Sequence, residues 1–297
     1  MKILLATDGS EYSERAARFL ARLRLSSEDE IAVLHVVSWV PFNYDAEAYH
    51  ESLKHIRMEI APKILDSTIE LLGPVKARIS TEIIDGAPER YIIEAARNYG
   101  AGMIVMGAKG IKGIKSLIVG SVTKAVALSS PIPVLVIKQP VGGDAALRIL
   151  FATDGSDYSI EAARFLARIP FPEDTELTVM NAIWSDFSDI PERFVMEVDD
   201  RIKGAVAEKR SGEIAESESI LKDAQILLED RFGKVKKLSK IGDPSLEILN
   251  TAESLKSDII AVGCRGMKGI KGVMGSVSRN VLNHAACSVF IGKTCRE

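Results

Sequence analysis

ILLATDGSEYSERAARFLARL at residues 3–23 returns as ILFATDGSDYSIEAARFLARI at residues 149–169. A second pair lies further along: MGAKGIKGIKSLIVGSVTKAV begins at Met106, and VGCRGMKGIKGVMGSVSRNV begins at Val262, with glycines at nearly the same places. The chain is therefore two copies of one domain. Each copy opens on Asp-Gly-Ser and carries a glycine-rich loop near its end. The copies lie 146 residues apart at Asp8 and Asp154 but 156 apart at Gly107 and Gly263, so about ten residues have been added in the middle of the second copy, between 185 and 233.

The 297 residues suit two domains of ordinary size, each able to bury its own core. We place them at 1–140 and 147–297, joined by the Pro-Gly linker QPVGGDAAL at 139–147. A net charge of −3 gives no overall field for nucleic acid or for an acidic membrane. The three cysteines, Cys264, Cys287 and Cys295, lack Cys-x-x-Cys spacing and suggest a reducing compartment. No apolar run approaches the roughly 20 residues of a membrane span, and MKILLATDGS turns polar too early for a signal peptide. The expectation is a soluble, cytoplasmic protein.

Within the first copy, residues 2–7 are a short apolar run ending in a turn, and an amphipathic helix follows. IAVLHVV at 31–37 is apolar without alternation, as in a parallel strand covered on both faces. A helical stretch over 45–72 leads to a third strand at 76–84. A helix opened by Pro88 and closed by Gly100 comes next, then a fourth strand at 103–106, a helix at 121–129 and a fifth strand at 132–137. Alternating strands and helices of this kind give an α/β fold, a parallel sheet with helices on both faces. Ligands bind such sheets at the carboxyl ends of the strands, where strand order reverses. Asp8-Gly9-Ser10, the end of the second strand and the loop from Gly107 all fall on that edge.

The loop spacing is Gly107-x2-Gly110-x9-Gly120-Ser121, running from a strand into a helix N-terminus. Glycine lets the backbone approach a ligand, and a helix N-terminus offers N–H groups to an anion. Gly120, Ser121, Val122 and Thr123 are thus candidates to hold a phosphate, with Lys109, Lys112 and Lys115 adding charge. A plain turn with a solvated lysine face is the structural alternative. There is no G-x-x-x-x-G-K-[ST] and no G-x-G-x-x-G after the first strand, which excludes a P-loop and a dinucleotide fingerprint. Asp8 and Asp154 would be repelled by phosphate. They must accept from a ribose hydroxyl or adenine amine, share a divalent metal, or serve the turn as helix caps.

The ATDGS openings at 6–10 and 152–156, the LHVV strand ending at Val37, and the G-x2-G-x9-G-S loop with its following Pro-x-Pro-Val strand resemble the universal stress protein family, in its ATP-binding branch. The resemblance covers nearly all of both copies. It implies two tandem Rossmann-like domains, of the adenine nucleotide alpha hydrolase-like kind, each with five parallel strands. It also implies ATP as the ligand, with Ala6, Thr7, Asp8, Val36 and Met106 on the adenosine side and Gly107, Gly110, Gly120, Ser121, Val122 and Thr123 at ribose and phosphates. The second set is Ala152, Thr153, Asp154, Ala182, Val262, Gly263, Gly266, Gly275, Ser276, Val277 and Ser278. There the spacing from Gly266 to Gly275 is eight residues rather than nine, and Ala182 stands for Val36. We therefore expect ATP in the first site and weaker binding, or AMP or ADP, in the second, with Mg2+ a candidate companion.

Members of the family pair through their last strands, so IPVLVI and CSVFIG are expected to pair within the chain and protect each other's edge. A homodimer of the tandem chain and an unidentified protein partner stay open. The stretch 190–232, which holds the added residues, is expected to be a solvated helical excursion, with a lid or a docking surface as alternatives. No nucleophile and base pair up: His35 is replaced by Asn181 in the second copy and reads as a satisfied strand-end residue. A nucleotide-binding regulatory protein is the favoured reading. A slow Mg2+-dependent ATP hydrolase or nucleotidyl-transferring enzyme, and an interaction module with vestigial pockets, are the alternatives.

Overall fold

The computed structural model describes residues 1–38, 54–73, 75–110, 119–140, 145–184, 200–266 and 274–293. The first copy runs β1 (Lys2–Thr7), α1 (Glu11–Arg22), β2 (Glu30–Ser38), α2 (Ala61–Leu72), β3 (Arg78–Gly86), α3 (Pro88–Tyr99), β4 (Met103–Gly107), α4 (Ser121–Ser129) and β5 (Val134–Ile137). The second repeats it as β6 (Arg148–Ala152), α5 (Asp157–Arg168), β7 (Glu176–Ile183), α6 (Asp200–Phe232), β8 (Val235–Ile241), α7 (Pro244–Ser254), β9 (Ile259–Gly263), α8 (Ser276–His284) and β10 (Ser288–Gly292).

All ten strands form one sheet in the order β3-β2-β1-β4-β5-β10-β9-β6-β7-β8, parallel within each half. The expected pairing of last strands is present. β5 and β10 run antiparallel, with Val136 opposite Val289, Leu135 opposite Phe290 and Val134 opposite Ile291. This register is its own mirror under exchange of the two copies, which places a pseudo-twofold axis at Leu135 and Phe290. Alternate residues of each strand feed opposite layers. Ile3, Leu5, Leu135 and Phe290 join one core, while Leu4, Ala6, Val134 and Val289 join the other. Each core extends without a break across both copies, so the edge that either half would expose alone is buried.

Local chemistry explains the element ends. Ser10 and Ser156 cap α1 and α5 by accepting from Ser13 N and Ser159 N, and Gly100 closes α3 in the left-handed conformation at φ 69°. Two of the expected strands shift by two residues. The third strand begins at Arg78 rather than residue 76 and runs to Gly86, while the fifth begins only at Val134, since Pro133 has no N–H to give a ladder.

The helical stretch expected at 45–72 is represented by a π-helical turn at Ile56–Ile60 leading into α2, with 45–53 outside the described residues. The expected solvated excursion needs correction over its second half. Leu221, Ala224, Leu228 and Phe232 of α6 are buried in the core at helical spacing. Ile220 packs over Gly155 as Ile64 of α2 packs over Gly9, so the C-terminal half of α6 is the counterpart of α2. Residues 190–199 lie outside the described residues.

Two lysines cross the axis. Lys138, just past β5, donates from Nζ to the carbonyls of Leu282 and Ala285 at the C-terminus of α8, both at 2.6 Å. Lys293, just past β10, donates to the Leu128 carbonyl at the C-terminus of α4 at 3.2 Å. Burial pulls the Lys138 ammonium down to about 8, and burial lowers Lys293 as well.

Candidate functional site

In both copies β1 or β6 ends in Thr-Asp-Gly-Ser, where glycine at φ 74° or 76° makes the turn into the next helix. Asp8 Oδ1 accepts from Ser10 N at 3.0 Å and Asp154 Oδ1 from Ser156 N at 3.1 Å. The aspartates thus shape the turn, and the caps are Ser10 and Ser156. The other carboxylate oxygen of each faces the glycine loop. A Cβ on Gly266 would come within 2.5 Å of Asp154 Oδ2, and one on Gly110 would collide likewise with Asp8 Oδ2. At these two places glycine lets the loop close on the carboxylate, and any larger residue would push the aspartate side chain aside.

The loop is anchored at both ends. Ala108 N donates to the Ile137 carbonyl and Gly120 N to the Ala108 carbonyl, both at 2.8 Å, and Cys264 and Gly275 make the same pair of bonds in the second copy. Helices α4 and α8 then start with Gly120 and Gly275 at the cap position, where no side chain caps them. Their first-turn N–H groups and the positive end of the helix dipole are directed to the sheet edge beside Asp8 and Asp154. Thr123 and Ser278, both among the expected phosphate-side residues, donate their hydroxyls to the carbonyls of Gly107 and Gly263 at 2.8 and 2.6 Å. Only their main chain remains for an anion.

Thr7 likewise spends its hydroxyl on the turn, meeting Ser13 Oγ at 3.2 Å and Thr68 Oγ1 at 3.1 Å. His35 Nδ1 lies 2.9 Å from the Thr7 carbonyl, and Asn181 Nδ2 donates to the equivalent Thr153 carbonyl at 2.8 Å. His35 is therefore a satisfied strand-end residue whose role an amide can fill. Ala6, Val36 and Met106 sit on one sheet face at the ends of β1, β2 and β4, packed with the same core. The loop cations lie over tyrosines: Lys109 Nζ is 5.6 Å from the Tyr12 ring, and the Arg265 guanidinium is 5.1 Å from that of Tyr158. Lys112 and Lys115 lie outside the described residues.

In the second copy these parts enclose a pocket of about 400 Å³. All eleven expected residues line it: Ala152, Thr153, Asp154, Ala182, Val262, Gly263, Gly266, Gly275, Ser276, Val277 and Ser278. So do Ser159, Pro244, Ile248, Arg265 and Met274. Of these five, Arg265 stands where Lys109 stands in the first copy. Pro244 and Ile248 repeat Pro88 and Ile92, and Met274 repeats Val119, so the duplication itself carried the missing signal.

The profile of the universal stress protein family matches residues 1–138 and again 146–293. The chain belongs to the universal stress protein family. It is 31% identical over 140 residues to a universal stress protein of Methanocaldococcus jannaschii, an alignment covering 47% of this chain and 82% of that one. A universal stress protein of Mycolicibacterium smegmatis aligns over 97% of this chain and 96% of its own at 23% identity, so the tandem arrangement recurs at full length. The crystal structure of a universal stress protein from Archaeoglobus fulgidus shares the fold, with a TM-score of 0.66 at 23% identity over 98% of this chain and 96% of that one. No described helix of this universal stress protein is long and apolar enough to cross a membrane.

Proposed function

We propose that this tandem universal stress protein binds adenine nucleotide at the carboxyl edge of each half and acts as a regulatory nucleotide sensor, with ATP as the ligand of the first site. The observation that carries the reading is the convergence, around one 400 Å³ pocket, of an aspartate, a glycine loop pressed against it and an uncapped helix N-terminus. Apolar Ala182, Ile248, Val262 and Met274 supply a slot suited to a flat base, Asp154 an acceptor for ribose hydroxyls or a base amine, and Ser276, Val277 and Ser278 the N–H groups for phosphate. The first copy repeats the aspartate–glycine contact, the loop anchors and the glycine-capped helix.

The two sites are not equivalent in this reading. The loop from Gly266 to Gly275 is one residue shorter and Ala182 replaces Val36, so the second site holds ATP more weakly or prefers AMP or ADP. Among the described residues no group of three or more His, Cys, Asp or Glu side chains is placed to hold a metal. Mg2+ would arrive with the phosphates, with Asp8 or Asp154 the carboxylates placed beside them. Nucleotide at a hundred times its dissociation constant would stabilise the fold by about 2.7 kcal/mol, enough for occupancy to be read as a change in stability.

The test is to purify the chain, identify co-purifying nucleotide by mass, and follow added ATP for hours with and without Mg2+. Intact bound ATP is the expected result. Metal-dependent accumulation of ADP or AMP, abolished by Asp8→Ala, would make the protein an enzyme, and empty sites that no nucleotide fills would make it an interaction module. Calorimetry showing two equal sites, or the second filled first, would overturn the asymmetry.

A further inference from the structure

We infer that each half's phosphate-side helix is positioned by a lysine from the other half, Lys138 setting α8 for the second site and Lys293 setting α4 for the first, so that the two sites are coupled across the β5–β10 seam. The inference rests on the reading of those helices as anion-binding. Its geometry is reciprocal. Lys138 and Lys293 occupy the same position of the repeat, each immediately after a last strand. Each donates to C-terminal carbonyls of the opposite copy's helix, Lys138 to Leu282 and Ala285, Lys293 to Leu128.

Each helix is a rigid rod of nine residues, about 14 Å long, with its cap glycine at the site and its last carbonyls at the seam. A cation at that far end fixes the rod along its axis and complements its dipole, which favours anions at the near end. Lys138 is itself held in place. Its carbonyl accepts from Arg15 Nη1 at 2.7 Å and its N–H donates to Ser288 Oγ at 3.2 Å.

The residue before each lysine closes the link. The Ile137 carbonyl accepts from Ala108 N in the first glycine loop, and the Gly292 carbonyl accepts from Cys264 N in the second, both at 2.8 Å. A shift of the first loop on binding is therefore carried by one residue of backbone to Lys138, and through α8 to Gly275 and the second site. The reverse path uses Gly292, Lys293, α4 and Gly120. Both lysines are positioning residues: each acts on a helix end remote from the cap glycine, and neither lines the second pocket.

A lysine that merely stabilised its own half would weaken its own half's site, whereas the geometry demands a crossed pattern. Lys138→Met and Lys293→Met are made in the full chain, in a background with one site blocked by Gly110→Val or Gly266→Val, and ATP binding is titrated by calorimetry. Lys138→Met should weaken the second site, read in Gly110→Val, by about tenfold and change the first, read in Gly266→Val, far less, with Lys293→Met doing the reverse. Effects confined to the lysine's own half, equal at both sites or absent would overturn the inference.

A second measurement needs no nucleotide. Arg279 N donates to the Gly275 carbonyl and Lys124 N to that of Gly120, the first rungs of α8 and α4. In the unliganded chain Lys138→Met should speed hydrogen exchange at Arg279 and not at Lys124, and Lys293→Met the opposite. Unchanged or uncrossed exchange refutes the positioning even where ATP binds. Crossed exchange in a chain that binds no nucleotide refutes the proposed function and leaves the positioning standing. Where a methionine variant fails to fold, glutamine at the same position, which keeps a donor without the charge, is measured against the same crossed pattern.

Discussion

Replacing Lys138 by methionine should remove a pH dependence of stability that the wild type shows between pH 7 and 9. In the folded chain the ammonium is nearly excluded from water, and desolvation is the main cause that lowers it from 10.5 to about 8, with Lys109 adding repulsion and Cys287 opposing. A lysine lowered in the folded state binds fewer protons there than in the unfolded chain above about pH 8. Stability must therefore rise with pH as the buried ammonium gives up its proton, until the unfolded lysine does the same near 10.5. Between pH 7 and 9 this amounts to roughly 1 kcal/mol.

Other groups constrain the window. Lys293, lowered by burial, acts in the same direction but is present in both proteins. Cys287, pushed up by burial from 9 to about 11, acts oppositely: its neutral thiol supports the fold below 9, and that support fades towards 11. The interval from 7 to 9 is thus where Lys138 dominates. Urea unfolding of both proteins at pH 7, 8 and 9 should show the wild type gaining roughly 1 kcal/mol on the variant as pH rises. The absolute difference mixes two carbonyls left without a donor with the loss of a buried charge, so the slope is the decisive quantity. Parallel pH curves for the two proteins would refute the argument.

A methyl group on Gly107 would come within 2.5 Å of the Tyr12 backbone, whereas one on Gly263 meets its nearest neighbour at 3.0 Å. Gly107→Ala should therefore cost about 1–3 kcal/mol and exceed Gly263→Ala, as thermal melts can rank. Phe290 is buried at the pseudo-axis, stacked on Phe165 at 5.8 Å, so Phe290→Ala should destabilise by about 3–5 kcal/mol, read by denaturant unfolding. Cys287, with its thiol raised to about 11, should resist a thiol-disulfide reagent at pH 8 in the folded chain and react on unfolding. Mass mapping that finds Cys287 labelled at once in the native protein would count against its burial.

The duplication made most of the fold legible. Two copies of an unalternating strand pattern fixed a parallel sheet, and the edge-strand hazard of IPVLVI and CSVFIG anticipated the antiparallel seam at Leu135 and Phe290. The site was legible where backbone geometry constrains residue type, as at Gly110 and Gly266 against the two aspartates. It was not legible where a side chain had two plausible partners. Thr123 and Ser278 follow Gly-Ser-Val among the expected phosphate-side residues, yet each buried hydroxyl takes the nearest strand-end carbonyl. Nor could the pattern of α6 reveal its packing. Its charged first half masks the periodicity of Leu221, Ala224 and Leu228, which settle where α2 lies in the other copy.

The seam lysines fell outside reach for a different reason. A lysine after a final strand looks like a solvated chain end, and only the antiparallel pairing turns each one onto the opposite helix. The same pairing explains how the halves could diverge. Lys138 and Lys293, Ile137 and Gly292, and the two cap glycines lie on the seam or connect to it; there the loop anchors keep equivalent bonds, and each lysine reaches carbonyls at the C-terminus of the opposite helix. The added residues and the shortened loop lie elsewhere in the second copy, between 185 and 233 and between Gly266 and Gly275. A change in either alters the second half's own surface or pocket without altering how it meets the first. The two proposed sites of unequal affinity would thus share one symmetric seam, which is the arrangement that the inferred coupling of their occupancies requires.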